Sequence, residues 1–416
     1  MMQPIDLRID IEAIMADIER LAAYSETPPP GVTRLVYGEA DVRARAYLRA
    51  RCLATGLTLR EDGLGNLFAR WPGSEPELPA VAAGSHLDAP PQSGRFAGVV
   101  GVVGALEALR ALRQAGFQPR HSLELLLFAS EAPTRFGLGC LAGRALVGAL
   151  TPEELHALHD SAGRSLDDWR TFAGLHDPLE QVALAQGHYA AFVELYIEQG
   201  PLLATDGEAL GVVRAMAATA TLHIQLNGVS GHAGATLMLE RRDALLAGAE
   251  IALAVEAAAL ATSRPHTVAT TGMFSIEPGL ANMIPDRVQM VIDVRDIAAE
   301  PRDQVLQALE LTVESICGRR HVDYRLRLLN ADPPVTCDPA VVETLVRVCE
   351  DLGLSRQFMV SRTYHNSLFM ARICPTAMIF IPCRGGVVQH PDEYAAPDHI
   401  LQGVAVLAHT LARLSG

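Results

Sequence analysis

Several things are scarce or missing in this chain of 416 residues, and each gap removes a class of function. Cysteine is sparse and scattered: Cys52, Cys140, Cys317, Cys337, Cys349, Cys374 and Cys383 are odd in number and include no CxxC pair. A disulfide framework and a structural zinc knot are therefore not expected, and a reducing cytoplasm suits the chain. No compact Lys/Arg run offsets a formal charge of −14, which argues against nucleic acid or an anionic membrane surface as partner and for a small molecule. No uninterrupted apolar run reaches about 18 residues, and the opening "MMQPIDLRIDIEAIMADIERLAAYSE" carries acids throughout instead of an apolar signal core. Internal repeats and low-complexity tracts are absent, and "ETPPPG" at 26–31 is a rigid surface loop. What remains is a soluble, cytoplasmic protein, 49% hydrophobic, long enough for about two domains.

The apolar pattern predicts an α/β protein. Helical spacing runs through 9–23 and 40–55. "LPAVAAGSHLD" reads as a buried strand entering a loop, "GVVGVVGALEALRALRQAG" as a helix and "HSLELLLFASE" as the next buried strand. The polar clusters "SHLD" and "SE" then fall at the C-terminal ends of strands, where open α/β sheets place ligands. From residue 212 the pattern changes to strand, helix, two strands, helix, strand, ending in "VDYRLRLLN". That order predicts a ferredoxin-like α+β insert at 212–329, with residues 1–211 and 330–416 forming a discontinuous catalytic α/β domain around a central mixed sheet.

Seven segments, in order, carry a resemblance. They are "GSHLD", "GRFAGVVGVVGALEALR", "YIEQGPLL", "GHAGATLMLERRDALLAGAE", "ANMIPDRVQMVIDVRD", "FMARICPTAMIFIPCRGG" and "HPDEY". Together they resemble the N-carbamoyl-L-amino-acid hydrolase and allantoate amidohydrolase branch of the dinuclear zinc metallopeptidase superfamily, over nearly the whole chain. The resemblance implies a catalytic domain on a central sheet, an inserted lid that pairs two subunits, and hydrolysis of a ureido or amide C–N bond.

It also implies five metal-ligand positions, which here are His86, Ala97, Ala132, Tyr196 and Gln389. Their flanks match, so the substitutions are not a misalignment. A methyl group has no lone pair and a phenol is a poor substitute for imidazole. The expectation is therefore a degenerate metal site with no cofactor, leaving a single ion at His86 and His390 as the alternative.

The other matching positions retain their residue types. Glu131 falls on the general base, and with no metal beside it and apolar Ala132 next in sequence its pKa is expected to rise toward neutrality. His232 matches a lid histidine that reaches the reacting carbonyl, in relatives from the partner subunit. His365 stands in "YHNS" where relatives have "GHDA". Gln199, Asn282 and Arg295 match substrate clamps, Arg295 being suited to a bidentate grip on a carboxylate. Arg384 and His86 complete the expected substrate contacts, Asp88 orients His86, and the Cys383 thiol beside Arg384 is a lesser candidate nucleophile.

The resulting expectation is a homodimeric hydrolase of amidohydrolase type. It acts on a non-peptide C–N bond of a small carboxylated, nitrogen-rich ureido, amidine or ring compound, without metal and with Glu131 as base. A non-catalytic carboxylate-binding protein and a metal-free lyase or isomerase are the alternatives.

Overall fold

A computed structural model describes residues 5–416. The chain divides into two compact units. The first runs to Arg214 and resumes over Cys337–Ser361 and His365–Gly416; the second is Ala215–Thr336 with Arg362–Tyr364. The insert thus begins and ends a few residues later than 212 and 329, and a three-residue piece from beyond it joins the second unit.

Four parallel strands form the centre of the first unit: Thr376–Ile381, Tyr189–Ile197, Ala80–His86 and Leu123–Phe128, in that spatial order. They belong to a nine-stranded mixed sheet. Leu67–Trp71 and then Thr58–Glu61 extend one side antiparallel, and Leu210–Met216 pairs antiparallel with Thr376–Ile381 on the other. Ala80–His86 and Leu123–Phe128 are buried along their whole length, as parallel strands covered on both faces must be. This explains why their sequences are mostly apolar, without the alternation of a half-exposed strand.

Register fixes the site. His86 pairs with Phe128, and Tyr196 pairs with Phe380, so the C-terminal ends of the strands lie along one edge of the sheet. The helix Val99–Gln114 begins right after that edge. Its cap, Gly98, has φ 72°, a left-handed value that favours glycine. A β-carbon there would also lie 2.5 Å from His86 Nε2.

The second unit has the expected strand and helix order: Ala218–Asn227, Ala244–Ala261, Val268–Glu277, Arg287–Asp296, Ala299–Arg320 and Asp323–Ala331. Its four strands form an antiparallel sheet in which Arg287–Asp296 and Ala218–Asn227 are central. Both central strands alternate buried and half-buried residues, the signature of a sheet with one covered face. The helix Ala244–Ala261 is long and apolar enough to cross a membrane by length and composition. It carries Glu250 and Glu256, and it buries Ala244, Ala247, Gly248, Ile251 and Val255. Its other face leaves Leu246, Leu253 and Leu260 exposed.

Candidate active site

The site is a knot of buried ionisable groups at the C-terminal edge of the parallel strands. His86 ends its strand with both ring nitrogens engaged. Nδ1 lies 3.1 Å from Asp88 Oδ1; Nε2 lies 2.9 Å from the Tyr196 hydroxyl and 3.1 Å from Glu131 Oε1. Asp88 in turn accepts the backbone N–H groups of Glu131 and Ala132. On the far side, Glu131 Oε2 accepts from the backbone N–H and side-chain Nδ2 of Asn366, at 3.1 and 2.8 Å. His365, the residue before the short helix Asn366–Met370, brings Nδ1 to 3.7 Å from Glu131 Oε1 and packs its ring edge-on to Tyr196.

Below them lies Glu194, fully buried and not among the residues singled out from the sequence. Strand alternation puts it on the same face as Tyr196, two residues on. It accepts hydrogen bonds from Ser85 Oγ at 2.6 Å and from Ser367 Oγ. An acid in the middle of a buried parallel strand was the available signal, because such a group needs dedicated partners.

These contacts decide the charges. Burial alone would raise the Glu131 pKa, but the adjacent His86 and His365 outweigh it and hold the carboxyl below its ordinary value. The expected rise toward neutrality is thus corrected, because two imidazoles from distant segments close on the carboxylate. Burial alone would lower His86, yet Glu131 and Asp88 raise it well above its usual value, making His86–Glu131 an imidazolium–carboxylate pair. Glu194, desolvated and beside the Glu131 charge, is pushed up to about 7. Burial, Glu131 and Glu194 likewise keep the Tyr196 phenol protonated.

The remaining candidates divide by location. Ala97 donates its N–H to Glu393 Oε1 at 2.9 Å, as does Phe96. Gln389 is exposed in a left-handed conformation, φ 49°. His390 is exposed and its Nδ1 accepts from Asp392 N–H, so it does not join buried His86 as an ion site. Arg384 is exposed, over the Tyr394 ring. Cys383 is no activated nucleophile: burial pushes its thiol up to about 11, and it donates to the Val387 carbonyl. Gln199 is half-buried in a left-handed turn, φ 59°.

In the second unit His232 and Asn282 are neighbours. His232 pairs with Met283, and Ala233 N–H donates to the Asn282 carbonyl. Arg295 holds Asp293 bidentately, at 2.6 and 3.0 Å, and donates to the Arg362 carbonyl. Its fork is thus engaged by a carboxylate of its own strand, at the i, i+2 spacing that shares a face.

Residues 82–413 match the family described as peptidase family M20/M25/M40. A ureidoglycolate hydrolase of Arabidopsis thaliana is 44% identical, over 98% of this chain and 87% of that protein. An N-carbamoyl-L-amino acid amidohydrolase of Geobacillus stearothermophilus is 35% identical, over 97% of this chain and 98% of that protein. The crystal structure of AtUAH in complex with (S)-hydroxyglycine superposes with a TM-score of 0.92 at 44% identity, covering 98% of both chains.

The amidohydrolases of this family are metal-dependent, and that overturns the expectation of no cofactor. The residues present fit an ion at a place the five implied positions do not mark. Glu131, Glu194 and His365, all buried, each offer a ligand atom, and the three atoms lie within 4.8 Å of one another. None of these three is among the implied positions, two of which, Ala97 and Ala132, have no donor, so those positions could not reveal the site. The matches and the fold together make this chain a member of peptidase family M20/M25/M40 and an enzyme of the C–N hydrolase type.

Proposed function

We propose that the enzyme hydrolyses the carbamoyl C–N bond of a small ureido acid of the ureidoglycolate kind. The observation that carries this reading is the 44% identity, along nearly the whole chain, to a ureidoglycolate hydrolase, and a solved structure that is equally similar to this chain holds (S)-hydroxyglycine. Hydroxyglycine is what remains of ureidoglycolate once water has taken the carbamoyl group, which leaves as ammonia and carbon dioxide. The 35% identity to a carbamoyl-amino-acid amidohydrolase supports the same bond in a related substrate.

A divalent ion at Glu131, Glu194 and His365 would polarise the carbamoyl oxygen and acidify a water. The chain's own groups do the rest. His86, whose two ring nitrogens are taken by Asp88, Glu131 and the Tyr196 hydroxyl, orients that hydroxyl, and Tyr196 supplies the O–H donor beside the reacting carbon, where negative charge develops. Asp88 keeps the His86 ring in place, and Glu131 fixes His86 as the cation. Arg295, Gln199 and Asn282 take the substrate carboxylate and ureido group, Arg295 exchanging Asp293 for the substrate, and His232 of the partner subunit reaches the carbonyl oxygen. Two copies pair through the second unit, in the cytoplasm. The exposed Leu246, Leu253 and Leu260 on one helix and Met273, Phe274 and Ile276 on the outer strand support that pairing, and seven free, buried cysteines suit that compartment.

Ammonia release from ureidoglycolate, allantoate and N-carbamoyl-L-amino acids, measured with added Mn²⁺, tests the reading. The expected result is a kcat/KM for ureidoglycolate at least about tenfold above the others, a margin of roughly 1.4 kcal/mol in transition-state binding. No ammonia from any of the three would overturn it.

A further inference from the structure

We propose that this chain binds one divalent cation, at Glu131, Glu194 and His365, and that packing around His86 leaves no place for a second. The inference concerns ion number and place, so it stands whichever ureido acid is the substrate.

The first observation is the donor set. Ligands of one ion bound at about 2.0–2.2 Å sit roughly 3–4 Å apart, so three atoms within 4.8 Å need only a small side-chain movement to close on it. Two carboxylates and an imidazole suit Mn²⁺ or Zn²⁺. Each Glu194 oxygen accepts a serine hydroxyl, from Ser85 or Ser367, and keeps a second lone pair for an ion. Two buried carboxylates so close repel in a low-dielectric interior, and a dication between them converts that repulsion into attraction.

A second observation concerns the other side of the knot. Nε2 of His86 faces the Tyr196 hydroxyl at 2.9 Å and Glu131 at 3.1 Å, and its Nδ1 faces Asp88. The Gly98 backbone is so near that even a β-carbon there would lie 2.5 Å from Nε2. An ion at His86 would have to displace the phenol and the helix start together. Ala97 and Ala132, on the neighbouring loops, offer no donor atom in compensation.

Elemental analysis of the whole purified chain, stripped with chelator and dialysed against Mn²⁺, should give one equivalent. An anomalous difference peak in crystals should fall between the three side chains. Calorimetric titration should show Mn²⁺ affinity reduced at least about 100-fold in Glu194→Gln and His365→Ala, and a stoichiometry of one retained in Tyr196→Phe. Two equivalents in the native chain, none at millimolar Mn²⁺, or a peak beside His86 would each overturn the proposal. The native stoichiometry and the peak decide it even if a variant fails to fold.

Discussion

A carboxylate–tyrosine pair lies at each end of the strands Leu123–Phe128 and Tyr189–Ile197, Glu131 being in the loop just past the first, and the two pairs behave in opposite ways. At the C-terminal end Glu131 and Tyr196 meet beneath His86 and His365. At the N-terminal end Glu124, on Leu123–Phe128, accepts the hydroxyl of Tyr189, the first residue of its strand. Both carboxylates are nearly inaccessible. Yet Glu124, whose nearby cations are Arg70 at 3.8 Å and Arg60, has its pKa raised by burial, whereas Glu131 is held low. Burial is thus common to both ends, and what distinguishes the reactive end is two imidazoles brought in from other segments.

The sharpest way to break this comparison is to neutralise each acid in turn. Glu131→Gln should cut turnover by about two to four decades, while Glu124→Gln should leave kcat within about twofold, as assayed by ammonia release. Equal losses would mean that burial alone matters.

Next comes the cost of removing each cation. His86→Gln leaves Glu131 and Asp88 without their buried partner and should destabilise the fold by roughly 3–5 kcal/mol in urea titration. Arg70 is a third exposed and pairs loosely, so Arg70→Gln should cost no more than about 1 kcal/mol.

A smaller effect separates the ends by pH. A depressed carboxyl contributes stability that is present above its unfolded pKa, about 4.3, and lost as pH falls toward the folded value. Glu131 should therefore steepen acid unfolding of the metal-free chain below about pH 4.3. A raised carboxyl does the reverse: Glu124 costs stability as pH rises through and above about 4.3. Denaturation midpoints followed from about two pH units below that unfolded value to about two above it should flatten on the acid side in Glu131→Gln and on the neutral side in Glu124→Gln. The opposite assignment would refute the charge states described.

The smallest expected difference lies in the phenols. Tyr189→Phe should cost about 1 kcal/mol of stability and no activity. Tyr196→Phe should lower kcat by about tenfold with KM unchanged, the pattern of a donor used only in the transition state. A change confined to KM would instead make Tyr196 a ground-state binding group.

Much of the architecture was legible because it follows from periodicity. The apolar runs at 80–86 and 123–128 and the alternation at 287–296 each report how many faces of a strand are covered. His86 and Glu131 were legible as polar residues at strand ends. The partners of Glu194, Asn366 and Glu393 were not. Ser85 and Glu194 are 109 residues apart, Glu131 and Asn366 are 235 apart, and Ala97 and Glu393 are 296 apart, so no local pattern reports their pairing. The direction of the Glu131 shift was hidden for the same reason, since its sign depends on His86 and His365, from two segments distant in the chain. Arg295 and Asp293 differ: a two-residue spacing on a strand puts them on one face, and that pairing was there to be read.

Ala97 and Ala132 share an arrangement whose consequence reaches beyond this enzyme. Each is tethered by its backbone N–H to a buried carboxylate, Glu393 in one case and Asp88 in the other. The loops are therefore held without help from the side chains at these two positions. Such sites are interchangeable sockets: chemistry can be removed or grafted there while the surrounding loop keeps its course. A lineage could lose, regain or exchange reactive groups at both positions without first rebuilding the scaffold, and a designer could do the same.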